Sequence, residues 1–222
     1  EGGYYEAGRG IGLAAERAEP PLYPGPEQAR FDTWVSWGVV IVDLDNDGQL
    51  DAAATGSPLP AMGSVSDTPS PLFQPTWLWR GGDSGFDDGL DGGLVSDTWA
   101  WGMATADLDG DGTREVIMAS ASGRPEVWDN PCSKGHWLEI ALEAPDGNVH
   151  GVGASVIVTT ADGQQRLQEV PSLTAGGQSP AALHFGLGDT TDVVDVTVRW
   201  PDGRSARVVG PDVDQHLTVH PD

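Results

Sequence analysis

Two short stretches of the chain gather carboxylates in a pattern that suits a hard cation. DLDNDGQLD spans 43–51, and DLDGDGTRE spans 107–115, 64 residues further on. Each carries acids at its first, third, fifth and ninth positions and a glycine at its sixth. A calcium ion takes roughly six to eight oxygen ligands at about 2.3–2.6 Å. Carboxylates at alternate positions of a tight loop can all turn inward, the glycine allows the sharp turn, and the carbonyl at position seven adds an oxygen. The expected ligands are Asp43, Asp45, Asp47, the Gln49 carbonyl and Asp51 for one ion. For a second ion they are Asp107, Asp109, Asp111, the Thr113 carbonyl and Glu115. With no ion, such crowded carboxylates repel and raise one another's pKa. A bound cation removes that cost and couples each loop to folding. Crowded, flexible, all-oxygen loops favour calcium over magnesium, with manganese as an alternative.

An EF-hand begins in the same way but needs an acid at position twelve and flanking helices. Position twelve is Ala54 in the first loop and Met118 in the second, and both loops are flanked by strand-like sequence. Other chemistry finds little support. The five histidines are scattered, with neither HExxH nor a chelating pair. GVGAS (151–155) lacks the third glycine of a dinucleotide motif, and no GxSxG occurs. RGGD (80–83) has one glycine too many for an RGD motif. The expectation is a protein that is not an enzyme.

The elements that must hold the loops form a repeat. DTWVSWGVVIVDLDNDGQLDAAATGS (32–57) aligns with DTWAWGMATADLDGDGTREVIMASAS (97–122), and TWLWRG (76–81) parallels EVWDN (126–130). YEAGRGIGL (5–13) likewise resembles FDDGLDGGL (86–94). WGVVIVD and WGMATAD are apolar runs of strand length, and LDAAATG and EVIMASA follow the acidic loops at once. Trp37 and Trp101 recur with the repeat and are expected in the core. Trp77 and Trp79 alternate and so share one strand face, where a sugar would stack in a carbohydrate-binding alternative. The Pro/Ser-rich insert 58–75 reads as a surface loop, as does 14–31 apart from one helical turn at AAERAE.

The rhythm changes near NPCSKG (130–135), dividing the chain into 1–131 and 132–222. HWLEIALEA, ALHFGLGD and QHLTVH read as strands. GASVIVTTADGQQRLQEV reads as a hairpin turning at Asp162-Gly163, and DVTVRWPDGRSARVV as another turning at Pro201-Asp202-Gly203. Regularly spaced short strands predict a β-sandwich or small barrel. The whole chain is therefore expected to be all-β.

With 34 acids against 11 bases, the net charge is −23. Nucleic acid and anionic membrane need basic patches, so neither is an expected partner. No run approaches the ~18 apolar residues of a membrane span. Metal cations, a basic partner or an extracellular setting suit the charge. Cys132 is the single cysteine, which excludes an internal disulfide and leaves a free thiol or a partner outside the chain.

W-G-x(4)-D-x-D-x-D-G-x-x-[DE] resembles the FG-GAP/VCBS repeat, known from integrin-α-like propeller blades. HWLEIAL (136–142), GVGASVIVT (151–159), LHFGLGD (183–189) and VTVRWPDG (196–203) resemble the ASPIC/UnbV domain. The resemblance implies a partial β-propeller of about two blades over 1–131, followed by the ASPIC/UnbV β domain. It also implies a secreted or cell-surface calcium-binding protein of adhesion or matrix type. A propeller needs about four to eight blades. The expectation is thus the C-terminal part of a longer chain, or a protein partner that supplies the missing blades.

Overall fold

In the computed structural model, residues 34–58, 76–86, 100–120, 124–130, 135–145, 147–172 and 176–222 are described. Cys132, the insert at 59–75, residues 14–31 and the 5–13 and 87–94 segments lie outside them. The described residues form 13 strands and no helix, so the chain is all-β.

Each repeat folds as a three-stranded antiparallel sheet. The first holds β1 (Trp34–Val42), β2 (Asp51–Pro58) and β3 (Trp77–Trp79), and the second β4 (Ala100–Ala106), β5 (Glu115–Ser120) and β6 (Glu126–Trp128). The acidic stretches are the loops of the first hairpin in each sheet. Val42 pairs with Asp51, and Ala106 with Glu115, so the ninth-position acid opens the returning strand. Both repeats carry a register shift at the same place, between Ser36 and Gly38 and between Ala100 and Gly102. Among the described residues neither sheet has a fourth strand or closes into a ring.

The repeats stack front to back. Val40, Ala53 and Leu78 of the first share a core with Met103, Val116 and Met118 of the second. Gly38 makes the close approach: a Cβ there would lie 2.7 Å from the Met103 amide nitrogen. The repeat register makes Met103 the twin of Val39, not of Val40. One repeat therefore buries one face and its successor the opposite face. The other face of the first sheet holds Ala52, Ala54, Trp77 and Trp79 as a small cluster, and also Val39 and Ile41, which are 53% and 59% exposed.

The tryptophans correct one expectation. Trp37 and Trp101 are exposed and lie outside the cores, their rings 6.1 Å apart. Each sits in the register shift of its strand, between Ser36 and Gly38 and between Ala100 and Gly102, where the in-out alternation that would aim a side chain at the core is broken. Trp77 and Trp79 do share a face, but they are buried and stacked on each other at 6.2 Å, so their rings present no open platform.

The C-terminal unit has seven strands: β7 (His136–Leu142), β8 (Ser155–Thr160), β9 (Gln165–Glu169), β10 (Leu183–Gly188), β11 (Val193–Arg199), β12 (Ser205–Val209) and β13 (Gln215–Val219). They make two open sheets, β10-β7-β13 and β12-β11-β8-β9. Leu138, Ile140 and Phe185 from one and Val156, Val196 and Val198 from the other share one core. Both hairpins form where the turn sequences put them, β8 pairing with β9 and β11 with β12. β13 joins in parallel beside β7, a long-range pairing that no turn sequence encodes. Most strands alternate, but β10 is buried at five successive positions, Leu183 to Leu187. Leu183, Phe185 and Leu187 enter the core, while His184 and Gly186 face the first acidic loop.

A segment of the C-terminal unit also wedges against the repeats. The Met103 amide donates to the Gly176 carbonyl at 2.7 Å, and the Thr105 amide to Ser179 Oγ at 3.0 Å. A Cβ at Gly177 would lie 1.9 Å from the Met103 carbonyl oxygen. Only glycine allows that approach, and Gly177 also holds φ +145°.

Candidate metal centre

The two loops use one scaffold. In the first, Asp43 Oδ2 accepts from the Gly48 amide at 2.7 Å, and Asp51 Oδ2 from the Leu44 amide at 2.8 Å. In the second, Asp107 Oδ2 accepts from the Gly112 amide at 2.9 Å, and Glu115 Oε2 from the Leu108 amide at 2.7 Å. The first-position acid thus holds the sixth-position amide, and the ninth-position acid reaches back to the second. Gly48 and Gly112 both take positive φ, +92° and +85°, the left-handed backbone the turn demands.

This scaffold gathers Asp43, Asp45 and Asp51 in one loop and Asp107, Asp109 and Glu115 in the other, with carboxylate oxygens within 4.8 Å of one another. Asp47 and Asp111, also expected as ligands, are not among those oxygens, although Asp47 is close enough to raise the pKa of both Asp43 and Asp51. Their Oδ1 atoms turn back on the amides of Gln49 and Thr113, each at 2.8 Å. Gln49 is exposed and Thr113 buried.

The loops differ in cover. Asp43, Asp45 and Asp51 are all buried, whereas Asp109 is exposed. Burial and the neighbouring carboxylates push the Asp43 pKa up to about 7, against opposition from the Gly48 amide. Asp51 is raised by burial first, then by Asp45 and Asp47. Glu115 is raised for the same reasons, with Asp109 and Asp107 as its neighbours. Arg80 lies over the first loop, Nη1 at 3.2 Å from Asp45 Oδ2.

The residues fit a hard cation by a test independent of their spacing. Glu115 is 5% exposed, and its Oε1 is a buried oxygen with no hydrogen-bond donor among the described residues. A buried carboxylate oxygen without a donor is costly, and a cation in the cluster would satisfy it. Asp43, Asp45 and Asp51, and Asp107, Asp109 and Glu115, would hold such ions. An ion there would supply charge neutralisation and a fixed loop shape.

Neither loop is a free surface hairpin, because both press against the C-terminal unit. Asn46 is fully buried and holds φ +62°. Its Nδ2 donates to the Gly112 carbonyl at 2.9 Å, which joins the two loops. Its Oδ1 faces His184 Nε2 at 2.6 Å, and its carbonyl accepts from the Gly188 amide at 2.8 Å. A Cβ on Gly186 would lie 1.9 Å from Asp43 Oδ2, and one on Gly112 the same distance from Trp137 Nε1. Behind the second loop, Arg114 is buried and donates to Glu139 at 2.6 Å, and also to Thr105 Oγ1 and the Thr105 carbonyl. Asn130 Nδ2 reaches the Leu44 carbonyl at 2.6 Å. Sequence reading missed Asn46, His184, Gly186 and Arg114. The asparagine at a non-ligand position of the loop was the one local signal.

Residues 144–222 match the family described as ASPIC and UnbV. The matched segment begins just after β7, the middle strand of its sheet, so the folded unit starts earlier than the match. A search of curated proteins returns no match to the chain.

Proposed function

We propose that the protein is a calcium-binding, non-catalytic β protein that acts outside the cell by binding or assembling, in adhesion or matrix. What carries the reading is the pair of like-built carboxylate clusters, one with a buried oxygen that lacks a donor. The ions would be structural. By holding both loops they would also hold Asn46, through which the repeats meet the C-terminal unit. Extracellular modules bind calcium at about 10⁻⁴–10⁻³ M, an affinity suited to a calcium-rich exterior and consistent with the acidic chain.

The stacking supports an assembling role. The exposed Val39 is the twin of Met103, which is buried against the first repeat, and the exposed Ile41 is the twin of the buried Thr105. Likewise the exposed Val127 is the twin of Leu78, buried between the repeats. Each outer face is thus built like one already covered. In this reading the sheets are FG-GAP/VCBS-type blades, and further blades of a parent chain or a protein partner cover those faces.

The experiment is thermal melting in calcium chloride against chelator. A ligand at about 100 times its Kd stabilises by about 2.7 kcal/mol, which raises Tm by several degrees. An Asp45→Asn, Asp109→Asn double variant should lose the rise. An unchanged Tm for the wild type discards structural calcium.

A further inference from the structure

Arg166 lies on β9, far in sequence from the acidic loops, yet its guanidinium rests on Gly48. A Cβ at Gly48 would be 2.6 Å from Arg166 Nη2. Its Nε and Nη1 are buried and have no hydrogen-bond partner among the described residues. Asp162 lies close enough to feel the charge of Arg166, but the hydrogen bonds of the neighbouring polar groups go elsewhere. Asp162 Oδ1 accepts from Thr160 Oγ1 at 2.6 Å and from the Gln164 amide at 3.1 Å. Gln168 Nε2 donates to the His184 carbonyl at 2.5 Å. Asp43 accepts from the Asp47 and Gly48 amides.

Arg166 is one of the residues lining a cleft of about 360 Å³ between the 43–51 loop and β9. Phe86 and Leu167 give this cleft apolar surface, and the backbone of Gly81, Gly82 and Gly85 forms much of the rest. That volume lies in the range of small-molecule sites, roughly 300–1,000 Å³. A buried guanidinium with idle donors is costly, and its planar fork matches a carboxylate. Phosphate offers the same oxygens but a second negative charge. One guanidinium beside the Asp43 cluster favours a monoanion.

We propose that this cleft binds a small organic carboxylate, the acid clamped by Arg166 and its apolar body lying against Phe86 and Leu167. The site shares Asp43 with the cation loop, but its binding group lies on the C-terminal unit and does not depend on the ion.

The probe is sodium phenylacetate, which joins a carboxylate to an apolar ring. It is titrated while the backbone amide resonance of Leu167, which lines the cleft in every variant, is followed by NMR, in calcium chloride and again in chelator. A saturable shift is expected in both, so failure of the cation reading and failure of this one register separately. Sodium acetate should bind more weakly. Arg166→Gln should weaken phenylacetate binding about tenfold or more, because both donors of the fork are lost. Its Tm should hold or rise, since no native hydrogen bond is removed. Arg166→Lys, which keeps the charge without the fork, should fall between wild type and Arg166→Gln. Arg199→Gln, at an exposed position of β11, should bind like wild type. The proposal is overturned if phenylacetate gives no saturable shift, if inorganic phosphate alone saturates the resonance, or if Arg166→Gln binds as wild type does.

Discussion

Asn46 Oδ1 lies 2.6 Å from His184 Nε2, across 138 residues of chain. Because Asn46 Nδ2 donates to the Gly112 carbonyl, its Oδ1 must be the atom that faces the imidazole. An amide oxygen only accepts, so His184 carries its proton on Nε2 and leaves Nδ1 bare. That one contact ties the first acidic loop to the C-terminal unit, and the same side chain ties it to the second loop.

Asn46→Ala should lower the unfolding free energy by about 2–4 kcal/mol. It orphans the buried His184 Nε2–H and Gly112 carbonyl at a cost of about 1–3 kcal/mol each, and it sets an alanine at positive φ. Asn46→Gly loses the same bonds without the backbone strain and should recover a part of the deficit. Urea unfolding of the three proteins measures this. A change below about 0.5 kcal/mol for Asn46→Ala, the range of a neutral surface substitution, would mean the junction is not held there.

Burial, with Arg114 and His216 as positive neighbours, lowers the His184 pKa from 6.5 to about 3. Trp137 stacks on its ring at 6.2 Å. Above pH 6.5 the imidazole is neutral in both folded and unfolded chains and contributes nothing to pH dependence. Below it the unfolded chain takes up a proton that the folded chain refuses. Stability should fall by up to about 1.4 kcal/mol per pH unit from this group as pH drops from 6.5 toward 3. His184→Gln keeps a donor for Asn46 and cannot titrate. Its stability should fall less steeply than that of wild type over the same window, as read by urea melts at stepped pH. Parallel curves would refute the assignment.

Gly186 should be needed for the cation site although it ligates nothing. A Cβ there would meet Asp43 Oδ2 at 1.9 Å, so Gly186→Ala must displace the first carboxylate of the cluster. Overpacking of this kind costs about 1–3 kcal/mol, and calcium affinity at the first loop should drop about tenfold. Calorimetric titration of calcium checks it, with Gly163→Ala as a control for destabilisation alone: a Cβ there meets nothing within 4 Å, but φ +84° strains it, away from both loops. Equal affinities would show that the loop sets its carboxylates without support from β10.

The strands, the hairpin turns and the acidic loops were legible because each is a local matter. Period-two alternation marks β8 and β11, Asp162-Gly163 and Pro201-Asp202-Gly203 mark their turns, and a glycine at position six marks each acidic loop. The difference in burial among the acids of one loop was not legible. Spacing treats Asp45 and Asp47 alike, but the fold buries Asp45 beside Asp43 and Asp51 and turns Asp47 out to cap the Gln49 amide. Trp37 and Trp101 misled for a related reason. Their recurrence is a property of the repeat, while their exposure follows from the register shift in which each sits, a feature of strand pairing.

By itself the sequence determined an all-β chain and two like hairpins with carboxylates at fixed positions. These follow from backbone periodicity and turn stereochemistry, which act over a few residues. Only the tertiary structure decided that the loops are buried at a junction, that Asn46 meets His184 and Gly186 admits Asp43, and that Arg166 reaches a cleft beside Gly48. Such contacts join groups scores of residues apart. They depend on which sheet faces pair and how closely two backbones approach, and no local pattern of residue types records that.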